Sequence, residues 1–91
     1  MQHHEIVATF ERVFKGQPNF MTPEVIGYGQ RGDFIFECSE GRGIEQERIF
    51  GLTILDLEGT NYPEYSGMYN TRAGVNNAVA DLSNKDILPI T

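Results

Sequence analysis

The chain is short of cysteine, histidine and positive charge, and each shortage closes off a class of function. Its one cysteine, Cys38, has no partner for an internal disulfide, so no disulfide framework holds the fold. Both histidines, His3 and His4, stand at the N-terminus, where chain ends fray. A cysteine nucleophile or a Ser-His-Asp triad needs a histidine as base, and zinc needs further ligands at suitable spacing. Neither pattern occurs, so no catalytic residue, metal ligand or cofactor is expected and an enzyme is not the first reading. No apolar run approaches the ~20 residues of a membrane helix, and Met1-Gln2-His3-His4-Glu5 lacks the basic-then-apolar layout of a secretory leader. The expectation is a cytoplasmic protein without membrane attachment.

Seven bases stand against thirteen acids, a net charge of −6. The excess is concentrated between residues 37 and 64. There Glu37, Glu40, Glu45, Glu47, Asp56, Glu58 and Glu64 face only Arg42 and Arg48. Nucleic-acid binders neutralise phosphates with clustered Lys and Arg. This field has the opposite sign, so direct nucleic-acid binding is not expected, whereas a basic partner would be drawn to the middle of the chain. An acidic surface also serves solubility alone.

What is present is ordinary globular material: 91 residues, 40% apolar and 22% charged. That length suits one domain spanning residues 1–91, and the composition is far from the disordered regime. Ile6, Val7, Phe10, Val13 and Phe14 recur at helical spacing between His4 and Lys15, with Gly16 placed to end the helix. The prolines Pro18 and Pro23 break regular structure. Glu24 to Gly29 reads as a short strand. Asp33 to Ser39 alternates, with Phe34, Phe36 and Cys38 on one face and Ile35, Glu37 and Ser39 on the other. Gly29-Gln30-Arg31-Gly32 between them supplies a hairpin reversal. Glu40 to Gln46 reads as a loop. Glu47 to Leu57 then carries apolar residues on both faces, the mark of a central strand covered on both sides or joined to another subunit. Tyr62 to Tyr69 holds a fourth, irregular strand. Asn70 or Thr71 caps a second helix running to about Leu82, with Val75, Ala78, Val79 and Leu82 inward. Ile87-Leu88-Pro89-Ile90 is apolar enough to dock. The fold class is α+β: an N-terminal helix, a three- to four-stranded antiparallel sheet and a C-terminal helix, with both helices expected on one face.

Few motifs carry chemistry. Gly27-Tyr28-Gly29-Gln30-Arg31-Gly32 matches G-x-G-x-x-G, but a strand follows it where dinucleotide binding needs a helix. Hairpin glycines explain the match. Cys38 reads as a small buried hydrophobe. The carboxylate pairs Asp56/Glu58 and Glu45/Glu47 sit beside turn glycines and so read as exposed.

The most unusual stretch lies between Gly59 and Asn70, which gathers Tyr62, Tyr65, Tyr69 and Met68 among Gly, Ser and Asn. Tyrosine gives large contact area for little entropy loss, and small polar residues adapt. Tyr62, Tyr65, Met68 and Tyr69, fringed by Glu58 and Glu64, are therefore the expected partner-binding residues. They imply an adaptor or inhibitor-like module for a basic protein surface, in its sharpest form a nucleic-acid mimic. The alternative is a small ligand-binding or enzymatic subunit with a pocket at a dimer interface, lined by the two-sided strand. An RNA-binding small barrel fits the order of elements but not the charge. A small open sheet leaves edges to cover, so a homodimer is expected.

Overall fold

Alternation in the middle of the chain builds the molecule. The computed structural model describes residues 1–17 and 19–82. Its elements run α1 (His3–Phe14), β1 (Glu24–Arg31), β2 (Phe34–Arg42), β3 (Arg48–Asp56), β4 (Gly67–Tyr69) and α2 (Arg72–Asp81). The four strands form one antiparallel meander in the order β1-β2-β3-β4. The expected α+β fold is the observed one. Ile87 to Ile90, proposed from the sequence as a docking tail, lies outside the described residues.

Both hairpins are tighter than expected. β1 and β2 pair down to Arg31↔Phe34, leaving only Gly32 and Asp33 in the turn. Gly32 has φ +60° and Asp33 is not left-handed, the type II′ pattern that matches the twist of the flanking strands. β2 and β3 pair out to Arg42↔Arg48, so much of the expected loop is strand. There Gln46, at φ 65°, takes the left-handed position that closes the hairpin.

The two helices lie on opposite faces of the sheet, which corrects the expectation of a single covered face. On one face Phe34, Phe50, Leu52 and Ile54 form a core with Tyr62, Val75 and Leu82, so this face carries α2. On the other, Ile35 and Leu55 pack under Ile6 and Phe10 of α1. The physical reason is visible in β3. Ile54 and Leu55 are neighbours on opposite faces, and each is fully buried. A strand apolar on both sides needs cover on both sides. At ~1.5–3 kcal/mol for each large apolar side chain buried, neither face can be left bare.

Local signals hold the helices in place. Glu5 accepts a hydrogen bond from the Gln2 backbone N–H at 2.9 Å and closes the start of α1. Lys15, in a left-handed conformation with φ 56°, ends it. The Thr71 hydroxyl accepts from the Gly74 N–H at 3.1 Å and caps α2. No helix among the described residues is long and apolar enough to cross a membrane.

Candidate functional site

The residues expected to bind a partner do not assemble into one surface. Tyr62 is fully buried. Its ring stacks on Tyr65 at 5.6 Å and 5°, and meets Phe34 edge-on at 5.3 Å. Its hydroxyl faces Asp56 Oδ2 at 3.5 Å; burial and that neighbouring carboxylate push its pKa up. Tyr65 and Tyr69 are half-buried against the same core. Met68 is 51% exposed, but it pairs with Gly51 and so projects on the α1 side. Three of these rings thus stand on the α2 face and the methionine on the other. Glu58 and Glu64 are exposed.

The acidic middle is likewise divided. Arg42↔Arg48 and Phe34↔Asp56 mark the two ends of the β2–β3 pair, and a nine-residue strand spans roughly 30 Å. Glu45 and Glu47 lie at one end, Asp56 and Glu58 at the other. Glu40 is held below the usual carboxylate range by Arg48, whose Nε donates to it at 2.8 Å. Asp56 accepts from the N–H groups of Glu58 and Thr60, both at 2.9 Å, and so serves its own turn.

A different site comes from the α1 face. Successive positions on that face are Ile35, Glu37 and Ser39 of β2 beside Leu55, Thr53 and Gly51 of β3. Ile35 and Leu55 are sealed by α1. At the other end, Ser39 and Gly51 are sealed by the chain returning toward β1. Here Thr22 and Ser39 share a buried hydroxyl–hydroxyl hydrogen bond of 2.7 Å. A Cβ on Gly51 would lie 2.4 Å from the Thr22 hydroxyl, so only glycine admits this close approach. Between the two seals the face is open. Lys15 stops the helix short of the sheet's middle, and Asn19 Oδ1, accepting from the Met21 N–H at 3.0 Å, turns the chain toward the far end.

The gap exposes a polar row across three strands: Tyr28 opposite Glu37, and Glu37 opposite Thr53. All three are half-buried. A cavity of about 310 Å³ lies between α1 and β1, bordered by Phe10, Glu11, Phe14, Tyr28 and Glu37. Next to it a cavity of about 170 Å³ shares Phe14, Gln17 and Glu37 and adds Asn19 and Thr53. A third, of about 340 Å³, shares Phe14, Asn19 and Thr53 and ends at Met68. Together they form a groove across the sheet from β1 to β4, below the end of α1.

Glu37 is central to it. Burial pushes its carboxyl above the usual range, and a hydrogen bond from the Tyr28 side chain works in the opposite direction. Tyr28 is pushed up to about 12 by burial and by the Glu37 charge, so its hydroxyl keeps its proton and acts as donor. The polar chemistry beside Glu37 is the Thr53 hydroxyl and the side-chain amides of Gln17 and Asn19, with the Glu11 carboxylate at the β1 end. No group of three or more metal-ligating side chains occurs among the described residues. On the opposite face a cavity of about 260 Å³ lies beside α2, bordered by Ile26, Phe36, Cys38, Arg72, Val75 and Val79. Burial pushes the Cys38 thiol up, against the pull of Arg72.

Sequence reasoning placed Glu37 on the face of Ile35 and Ser39 but gave it no role in a site. The available signal was β3: if both of its faces are covered, then an acid on β2 between Ile35 and Ser39 stands on a covered face. Comparison with known proteins adds nothing here, for no family model, no curated protein and no solved structure matches the chain.

Proposed function

We propose that this protein is a small-molecule binding domain whose site is the groove on the α1 face. The observation that carries this reading is the polar row Tyr28–Glu37–Thr53, left uncovered in the middle of a face sealed at both ends. A carboxyl pushed up by burial has a cost that folding alone does not require, and such groups concentrate at functional sites. A cavity near 310 Å³ falls within the size range of metabolite pockets. The partner-binding module expected from the sequence has weaker support, because its aromatic residues are consumed by the protein's own core. The groove is lined by residues of one chain, so this reading does not require a dimer. The homodimer keeps the support of two sheet edges, β1 and β4, each of which pairs with only one strand among the described residues; light scattering decides it.

The test is a metabolite screen read by NMR on the full chain. Binding should move the backbone amides of Phe14, Gln17, Glu37 and Thr53, and Thr53→Val should weaken it. Ligands that shift only the α2 face, or no ligand that shifts the groove, would overturn the reading.

A further inference from the structure

The β1 end of the groove has a chemical bias. Three rings border it in an unbroken series: Phe14 lies near-parallel to Phe10 at 6.0 Å, and Phe10 meets Tyr28 at 5.5 Å. Ring faces carry partial negative charge and attract cations. Among the described residues, the charged groups on the lining are both carboxylates, Glu11 from α1 and Glu37 from β2, and no lysine or arginine borders the cavity. Tyr28, the titratable group contributed by β1, keeps its proton. Lys15 ends α1 but is exposed and outside the lining. Gly16 and Gln17, which follow the last turn of α1, also border the space, and the C-terminal end of a helix presents partial negative charge. Three sources of negative potential thus converge on one cavity. An anion would be repelled by each of them, and a neutral apolar molecule would strip water from Glu37 without pairing it.

Resting on the groove being a ligand site, we propose that its ligand is a small organic cation, an ammonium or guanidinium compound, seated against Phe14 and Tyr28 with its charge toward Glu37. Pairing with a cation favours the ionised carboxylate. Because burial holds this carboxyl above its usual range, binding releases a proton where the free groove is still protonated. Affinity then falls as pH drops through the raised range.

The experiment titrates the full chain with choline, with the neutral isostere in which carbon replaces its nitrogen, and with acetate, by calorimetry and NMR. Choline should move the amides of Phe14, Gln17, Tyr28 and Glu37 and bind about tenfold or more tighter than the isostere. Glu37→Gln should weaken choline about tenfold, leave the isostere unchanged and abolish the loss of affinity in acid. Equal or tighter binding of the isostere or of acetate at the same amides would overturn the cation assignment while the groove survives as a ligand site. A lysine- and arginine-rich peptide that binds there when choline does not would overturn the small-molecule assignment. If none of these, nor any compound of the wider screen, moves those amides, the groove reading itself falls.

Discussion

The two faces of this sheet are made from the same strands, yet they are finished differently. On the α2 side, Phe34, Tyr62 and Tyr65 interlock edge-on and stacked, and residues from β2, β3, the loop before β4 and α2 close over one another. On the α1 side, apolar packing stops at Ile35 and Leu55, and a buried hydroxyl pair seals the far end. The stretch between holds a carboxyl, a phenol and a hydroxyl over open space. The α2 side closes over its aromatic cluster and keeps its gap, of about 260 Å³, at Cys38 beside α2, whereas the α1 side is left incomplete at its polar row.

The comparison breaks most directly at Phe34. Phe34→Ala should cost about 3–5 kcal/mol, measured by urea denaturation, because the ring holds both Tyr62 and Tyr65. Groove ligands should still bind the folded fraction. A smaller loss of about 1–3 kcal/mol is expected for Thr22→Val, which leaves the buried Ser39 hydroxyl without its partner. Adding Ser39→Ala should cost less than the sum of the two single changes. Additive losses would mean that the seal is not a coupled pair.

Glu37 sharpens the contrast with an effect of opposite sign. Its folded-state pKa lies above the ordinary value, so the folded chain holds this proton at a pH where the unfolded chain has lost it. Stability therefore falls as pH rises through that window, and at neutral pH the ionised carboxylate is a net cost. Glu37→Gln should melt higher than the parent at neutral pH and at the same temperature once pH is below the ordinary carboxylate range. Melting curves that stay apart in acid would show that the difference is not this proton. The smallest effect is expected at Glu40, which meets Arg48 outside both cores. Glu40→Gln should leave the denaturation midpoint within error, since exposed pairs contribute little.

The fold was more legible than the site, for a physical reason. Periodicity reports which residues must be hidden, so Ile6 and Phe10 marked α1 and Phe34 and Phe36 marked β2. The two-sided run from Ile49 to Leu57 marked a strand covered on both sides or joined to another subunit. Periodicity does not report what hides them, which is why two helices were expected on one face. Tyr62 misled because tyrosine suits an exposed contact and a roofed core equally well. Its burial depends on the chain after Gly59 folding back so that the Tyr62 N–H reaches the Ile54 carbonyl at 3.0 Å. Glu37 was hidden by the opposite ambiguity, since an alternating acid looks solvated until an element covers its neighbours. The site exists only because α1 stops at Lys15, and a gap left by a helix end is a property of three dimensions.

The placing of the tyrosines gives the molecule its own optical labels. There is no tryptophan, so near-ultraviolet light is absorbed chiefly by four phenol rings. Tyr62 and Tyr65, stacked with nearly parallel planes, couple their excited states, and that chiral signal dies when their side of the sheet loosens. Tyr28 stands alone across the sheet and reports whatever arrives beneath α1. The near-ultraviolet signal of the folded chain is therefore weighted toward the stacked pair, so its loss on heating reports chiefly the α2 side of the sheet.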